Sequence, residues 1–245
     1  MDIVIALGTG SRWMDNELRY ALRSIEKYLK GHTGRILLIG QRPKWVKNVD
    51  YYDIPDVPGR KNFSIFQKIL TGCEMTNTPD FIFWNDDHFL LKDLKVDQFK
   101  YWYDGLCKQW AEKATGLYKK AITNTTNLPG CNDLYTDIHV PIVYNNARFG
   151  KLLDLDWKKE YVIKSAYTRN EEGGFEYMAD FKLSNQYNLS TWQGKLVGKT
   201  FFSIGAYTVN NDFKVLMHKL YPDKSIYEKW ESLYKARTLT LGMVG

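Results

Sequence analysis

The stretch Phe81-Ile82-Phe83-Trp84-Asn85-Asp86-Asp87 decides how the rest of the chain is read. Four consecutive apolar residues read as a buried strand, and it runs directly into two adjacent carboxylates. Carboxylates side by side at such a place are costly unless a cation neutralises them. A divalent ion bridging them to a pyrophosphate meets that need, because Mg²⁺ takes one or two carboxylates plus phosphate oxygens. In that reading Asp87, with Asp86, contacts the metal, and Asn85 or Asp86 orients a ribose or sugar. The plainer reading of the same residues is a solvated turn capped by aspartate.

Upstream, Ile3 to Leu7 is a second continuous apolar run, closed by Gly8-Thr9-Gly10-Ser11. Asp15 to Leu29 carries Leu18, Leu22, Ile25 and Leu29 at helical spacing, with Asp15 placed as N-cap. Arg35 to Gly40 is another buried strand, Tyr51 to Pro55 a shorter one, and Phe63 to Met75 a helix with Ile65, Phe66, Ile69 and Leu70 on its apolar face. This order predicts an α/β fold with a mostly parallel sheet flanked by helices. Ligands in such sheets bind outside the carboxyl ends of the strands, where both Gly8-Thr9-Gly10 and Asn85-Asp86-Asp87 fall. The glycine turn lacks the dinucleotide fingerprint and the P-loop lysine. It suits close approach of a base or ribose at Gly8 and Thr9, with Arg12 near for phosphate; as a plain feature it is a tight strand-to-helix turn.

Downstream, Val96 to Lys113 reads as a helix, with Phe99, Trp102, Leu106 and Trp110 spaced for one face. Asn124 to Asp133 is rich in Asn, Thr, Pro and Gly and reads as a loop over the site. Asp137-Ile138-His139 sets two ionisable side chains on one side if extended, as general base, acceptor contact or metal ligand. Tyr207 to Tyr221 is expected to be helical in part, and Ile226 to Ala236 to form another helix. No repeat or linker divides the chain. It is expected to be one domain over residues 1–245, with a nucleotide-binding half (1–95) and an acceptor half (96–245) carrying a C-terminal elaboration.

Hydrophobic residues at 44% and charged residues at 25% are ordinary globular values and argue against wholesale disorder. The aromatic share of 15% suits sugar rings and nucleobases, and equally suits a core. A net charge of +6 favours anionic partners, nucleic acid among them, but no run of Lys and Arg and no groove-binding element accompanies it. Three scattered cysteines, Cys73, Cys107 and Cys131, give no zinc or disulfide spacing. No apolar stretch is long enough for a membrane span, and a cytoplasmic location is expected.

Several blocks together resemble the Stealth proteins, hexose-1-phosphate transferases that include capsular polysaccharide polymerases and the lysosomal-enzyme GlcNAc-1-phosphotransferase. Asn16 to Tyr28 is similar to the first block of that family. Gly40-Gln41-Arg42-Pro43-Lys44-Trp45, Asn62-Phe63-Ser64 and Phe81 to Asp87 follow in the same order. Looser likenesses come at His139-Val140-Pro141, at Phe201-Phe202-Ser203 and at Leu220 to Glu228. The resemblance implies a GT-A-like (Rossmann-like) fold, a nucleotide-sugar donor of UDP-hexose or UDP-HexNAc type, Mn²⁺ or Mg²⁺, and a glycan acceptor. It implies metal ligands at Asp86 and Asp87, and donor contacts at Gly8, Thr9, Arg12, Arg60, Asn62, Asn85 and Asp86. It further implies base or acceptor roles for Asp137 and His139, and charge stabilisation by Lys164. The opening strand ends here in Leu7-Gly8-Thr9-Gly10, and the family's Arg-His pair falls at Ile163-Lys164. These departures favour sugar transfer to a hydroxyl over sugar-1-phosphate transfer with release of UMP. Glycosylation of modified DNA bases and a non-catalytic carbohydrate- or nucleic-acid-binding module are the remaining alternatives.

Overall fold

The protein is described from a computed structural model, which describes residues 1–229 except 131, 187 and 206. The chain opens with β1 (Asp2–Leu7), α1 (Asn16–Tyr28), β2 (Leu29–Lys30), β3 (Ile36–Gly40) and β4 (Asp50–Tyr52). It continues through α2 (Lys61–Met75), β5 (Asp80–Trp84), β6 (His88–Leu90), β7 (Leu94–Lys95) and β8 (Tyr101–Tyr103). Then come α3 (Cys107–Lys113), α4 (Gly116–Thr126), β9 (Ile142–Asn145), α5 (Asn146–Gly150) and α6 (Ile163–Thr168). The last described elements are β10 (Phe175–Tyr177), β11 (Lys182–Leu183), α7 (Leu189–Leu196), β12 (Phe201–Ile204) and α8 (Asn211–Leu220).

The central sheet has the order β4-β3-β1-β5-β9, parallel throughout except for β9 at its edge. Strand β1 is buried on both faces because helices cover both. Ile3, Ile5 and Leu7 join Leu18, Leu22 and Ile25 of α1, while Val4 joins Phe66 and Ile69 of α2 on the other side. Each such side chain contributes about 1.5–3 kcal/mol on burial. Close approach of α2 is set by Gly72: a Cβ there would lie 2.7 Å from a Val4 methyl. Beyond β5 the chain reverses into a second sheet, β11-β12-β6, with β12 antiparallel to β6 and parallel to β11. A third cluster packs α7 and α8 on that sheet around Trp192, Phe202 and Phe213. Among the described residues no helix is long and apolar enough to cross a membrane.

Five expectations change. The helix over Val96 to Lys113 is replaced by a 3₁₀ turn at Val96–Gln98, strand β8, and a helix beginning only at Cys107. Tyr-Trp-Tyr is a β-favouring triplet, it pairs in parallel with β10, and Gly105 at φ +72° separates it from α3. The loop over Asn124 to Asp133 is helical up to Thr126, where Thr125 and Thr126 hydroxyls bond carbonyls four residues back. Strand β4 stops at Tyr52, short of Pro55. Asp15 occupies the N-cap position of α1 but in left-handed backbone, with no capping bond from its side chain. Residues 226–229 form a turn and an isolated bridge, Val46↔Glu228, in place of a helix start; the remainder of the helix expected there, and Cys131, lie outside the described residues.

Candidate active site

Strand β5 ends because Asn85 to His88 turns: the His88 N–H donates to the Asn85 carbonyl at 3.2 Å, and the Trp84 indole donates to the His88 carbonyl at 2.9 Å. The turn carries Asp86 and Asp87 at the carboxyl end of the central sheet. Beside it runs the segment that enters α1. Ser11 Oγ accepts from the Trp13 and Asp15 amides at 3.1 and 2.8 Å and donates to Glu17 Oε2 at 2.8 Å. Met14 and Asp15 take left-handed backbone, φ 54° and 58°, a strained pair for residues with side chains.

The result is an acidic cluster. Burial, then Asp87, then Glu17 push the Asp86 carboxyl up to about 8. Burial also raises Glu17, with Asp15 and Asp87 adding repulsion. Carboxylates gathered in this way are the donor chemistry a hard divalent cation relieves. Among the described residues no three His, Cys, Asp or Glu side chains converge as a complete ligand set. An ion held by Asp86 and Asp87 would take the rest of its coordination from other oxygens, such as those of a phosphate.

Facing this cluster is a second group built around Lys164, 5% exposed. Its ammonium donates to the carbonyls of Ile138 and Val140, both at 2.6 Å. That holds 138–140 in a bend, with the Val140 N–H on the Ile138 carbonyl, so Asp137 and His139 meet through a bend and not an extended strand. Burial lowers the Lys164 ammonium, and Asp137, Asp180 and Asp87 act against that. Burial raises Asp137, opposed by Lys164, His139 and a hydrogen bond from the Tyr118 hydroxyl at 3.1 Å. Tyr118 is itself in contact with the Tyr135 hydroxyl.

His139 is held by Asp180, whose Oδ1 accepts from the His139 amide at 3.0 Å and whose Oδ2 lies 2.6 Å from Nδ1. Burial would raise Asp180, but the bonds and charge of His139 hold it below the usual carboxylate value. Lys182 Nζ reaches Nε2 of the same ring at 3.0 Å. His88, 1% exposed, connects the two groups: its Nε2 is 3.8 Å from Asp87 Oδ1, and its ring meets that of His139 edge-on with centroids 6.3 Å apart.

The end of the neighbouring strand β1 forms the third part. The Thr9 amide and hydroxyl donate to Asp56 Oδ2 at 3.2 and 3.4 Å, and the buried Lys68 donates to Asp56 Oδ1 at 2.5 Å and to the Leu7 carbonyl at 2.8 Å. Burial would raise Asp56, but Lys68 and Thr9 keep it ionised below its usual range. Arg12 is exposed and lies over the Tyr207 ring at 4.2 Å.

Asp86, Asp87, Asp137, His139 and Lys164 thus come together, with Gly8 and Thr9 on the adjoining strand end. Arg60 and Asn62, at the start of α2, are not tied to the acidic cluster by any hydrogen bond or ion pair shown. Arg60 lies over Phe63 at 4.3 Å and 3.7 Å from Glu160. The sequence reading missed Glu17, Asp56, Lys68, His88, Asp180 and Lys182. Only His88, next to Asp87, carried a local signal.

The architecture is the GT-A fold, a mostly parallel sheet flanked by helices. It is shared with the crystal structure of the galactosyltransferase LgtC in complex with donor and acceptor sugar analogues, at TM-score 0.56 and 11% identity over 97% of this chain and 100% of that one. An active-site mutant of LgtC matches at TM-score 0.52 and 10% identity, again over 97% and 100%. No protein-family model and no curated protein matches the chain.

Proposed function

We propose that the chain is a nucleotide-sugar-dependent glycosyltransferase that moves a hexose or HexNAc unit from a UDP-type donor to a hydroxyl of a glycan. The observation that carries this is the opposition of an acidic cluster and a carboxylate-held imidazole across one turn, Asn85 to His88, in a GT-A fold. The order of Stealth-like blocks and the donor- and acceptor-bound state of LgtC support it.

Asp87 and Asp86 would hold Mg²⁺ or Mn²⁺, whose charge stabilises the departing nucleoside diphosphate as a Lewis acid. Gly8 and Thr9 present a turn, fixed by Asp56 and Lys68, against which a base and ribose pack, and Arg12 supplies a cation nearby. His139 takes the acceptor proton at Nε2, the acceptor hydroxyl replacing the Lys182 ammonium that bonds this nitrogen at 3.0 Å, while Asp180 keeps the proton on Nδ1. The acceptor oxygen bonds to the anomeric carbon, the bond from that carbon to the diphosphate oxygen breaks, and the nucleoside diphosphate leaves. Lys164 positions His139 through the two carbonyls it holds and balances Asp87, Asp137 and Asp180.

Incubation with UDP-hexoses and UDP-HexNAcs in Mn²⁺ or Mg²⁺ tests the reading through the nucleotide released. UDP is expected, and Asp87→Ala is expected to abolish its release while leaving the fold intact. UMP as sole product would establish sugar-1-phosphate transfer instead. Retention of carbohydrate binding in Asp87→Ala, with no turnover in either protein, would establish a binding module.

A further inference from the structure

Three residues of the second sheet lie on one rung. In the antiparallel pair β6–β12, His88 is the direct partner of Ser203; in the parallel pair β11–β12, Lys182 is the partner of the same Ser203. Residues opposed in this way project to the same face with Cβ atoms roughly 4.5–5.5 Å apart. His139 roofs that face, touching Lys182 at one end through Nε2 and His88 at the other through its ring edge.

Two polar atoms on the rung are fully buried and have no hydrogen-bond partner, His88 Nδ1 and Ser203 Oγ. The Asn85 side-chain nitrogen lies 3.3 Å from His88 Nε2, and the tautomer that accepts there carries its proton on Nδ1, as a donor. The Ser203 hydroxyl is a second donor, and the Lys182 ammonium, with one of its three N–H groups on His139, is a third. Buried donors without acceptors are rare in native folds. Here two of them lie buried on the same rung as the exposed Lys182, beside the partly exposed His139. A row of N–H and O–H donors ending in an ammonium matches an oxyanion.

We propose that the Lys182–Ser203–His88 rung is an oxyanion subsite for the acceptor, so that the sugar is transferred onto a saccharide bearing a carboxylate or phosphate group. This rests on the transferase reading above. The rung belongs to the acceptor because it lies under His139, the base, whereas the donor diphosphate is drawn to the carboxylate cluster on the far side of Asp87. An acidic group seated there brings a neighbouring hydroxyl of the same saccharide to His139.

The test uses inorganic phosphate and acetate on the full chain, without donor, read by thermal unfolding and by the ¹⁵N ring resonances of the histidines. At least one anion is expected to raise Tm and to move His88 and His139 together. A stronger response to phosphate assigns a phosphorylated acceptor, and a stronger response to acetate a carboxylated one. Ser203→Ala is expected to be at least as stable as the parent in anion-free buffer, since it removes an unbonded buried hydroxyl. Its anion affinity should fall by roughly 10-fold or more, as for loss of one hydrogen bond to a charge. Unmoved His88 resonances, or unchanged affinity in Ser203→Ala, would show that no anion is seated on the rung and overturn the subsite. Displacement of the anion by UDP with Mn²⁺ would give the rung to the donor and overturn the acceptor assignment. Anion binding beside a failure to turn over any UDP-sugar would remove the transferase reading, and with it the acceptor, while the rung itself stood.

Discussion

An imidazole takes a proton at Nε2 only while Nδ1 carries its own, and at His139 that condition is set by Asp180, 2.6 Å from Nδ1. The carboxylate also compensates the positive ring that forms when the acceptor proton arrives. Asp180→Asn keeps an oxygen within reach of Nδ1 but removes that compensation. It is expected to lower kcat by roughly 10- to 1,000-fold with the KM for the donor unchanged, because the nucleotide side of the site lies elsewhere. An equal loss in KM and none in kcat would make Asp180 a binding residue. Asp137 and His139 stood out in the sequence because ionisable side chains two residues apart are conspicuous. Asp180 did not, being 41 residues away, and nothing local marks a carboxylate that a fold will bring to a histidine. Ser203 was hidden for the same reason, since its relation to His88 is a register between two strands.

Among the elements, α1 is the one that carries site and stability together. Its first turn supplies Glu17 to the acidic cluster, and its buried face supplies Arg19 and Arg23 to Glu228 near the end of the described chain. Arg23 Nε reaches Glu228 Oε1 at 2.6 Å, Arg23 Nη2 and Arg19 Nη1 reach Oε2 at 2.8 and 3.0 Å, and the Ser225 amide adds a fourth bond. Burial would raise Glu228, but Arg23 and Ser225 hold it below its usual 4.5. Its contribution is therefore complete above that ordinary value and is lost as pH falls through the lowered one. Glu228→Gln removes the negative charge that faces two buried guanidinium groups and is expected to cost about 3–5 kcal/mol in urea unfolding at neutral pH. The difference from the parent should shrink in acid; a difference that persisted there would place the loss in packing rather than charge. Strands β1, β3 and β5 and helices α1 and α2 were legible because each is a dense local pattern. The segment 96–113 was not: Phe99, Trp102, Leu106 and Trp110 satisfy helical spacing, yet β8 gains its partner from Phe175–Tyr177, far along the chain.

For the molecule as a whole, the acidic cluster makes stability depend on pH in opposite senses with and without a cation. In the folded protein Asp86 gives up its proton at about 8, against 3.8 for the free side chain. Between those values the unfolded chain has released this proton and the native one has kept it, so this group destabilises the protein progressively as pH rises from about 4 towards 8. Asp86→Asn removes the proton and with it the slope. The variant is expected to have the higher Tm in metal-free buffer, by a margin that widens up to about pH 8. A cation and UDP bind the ionised cluster, so their binding must expel the Asp86 proton and strengthens over the same interval. The rise in Tm given by Mn²⁺ with UDP should therefore grow with pH in the parent, and should be largely lost in Asp86→Asn and Asp87→Ala. Thermal unfolding of the three proteins across that range, with and without Mn²⁺ and UDP, measures both slopes at once. A ligand-induced shift that stayed constant with pH, or survived in Asp87→Ala, would mean that UDP binds without these carboxylates. The donor would then have to be sought at Thr9, Arg12 and Asp56 alone.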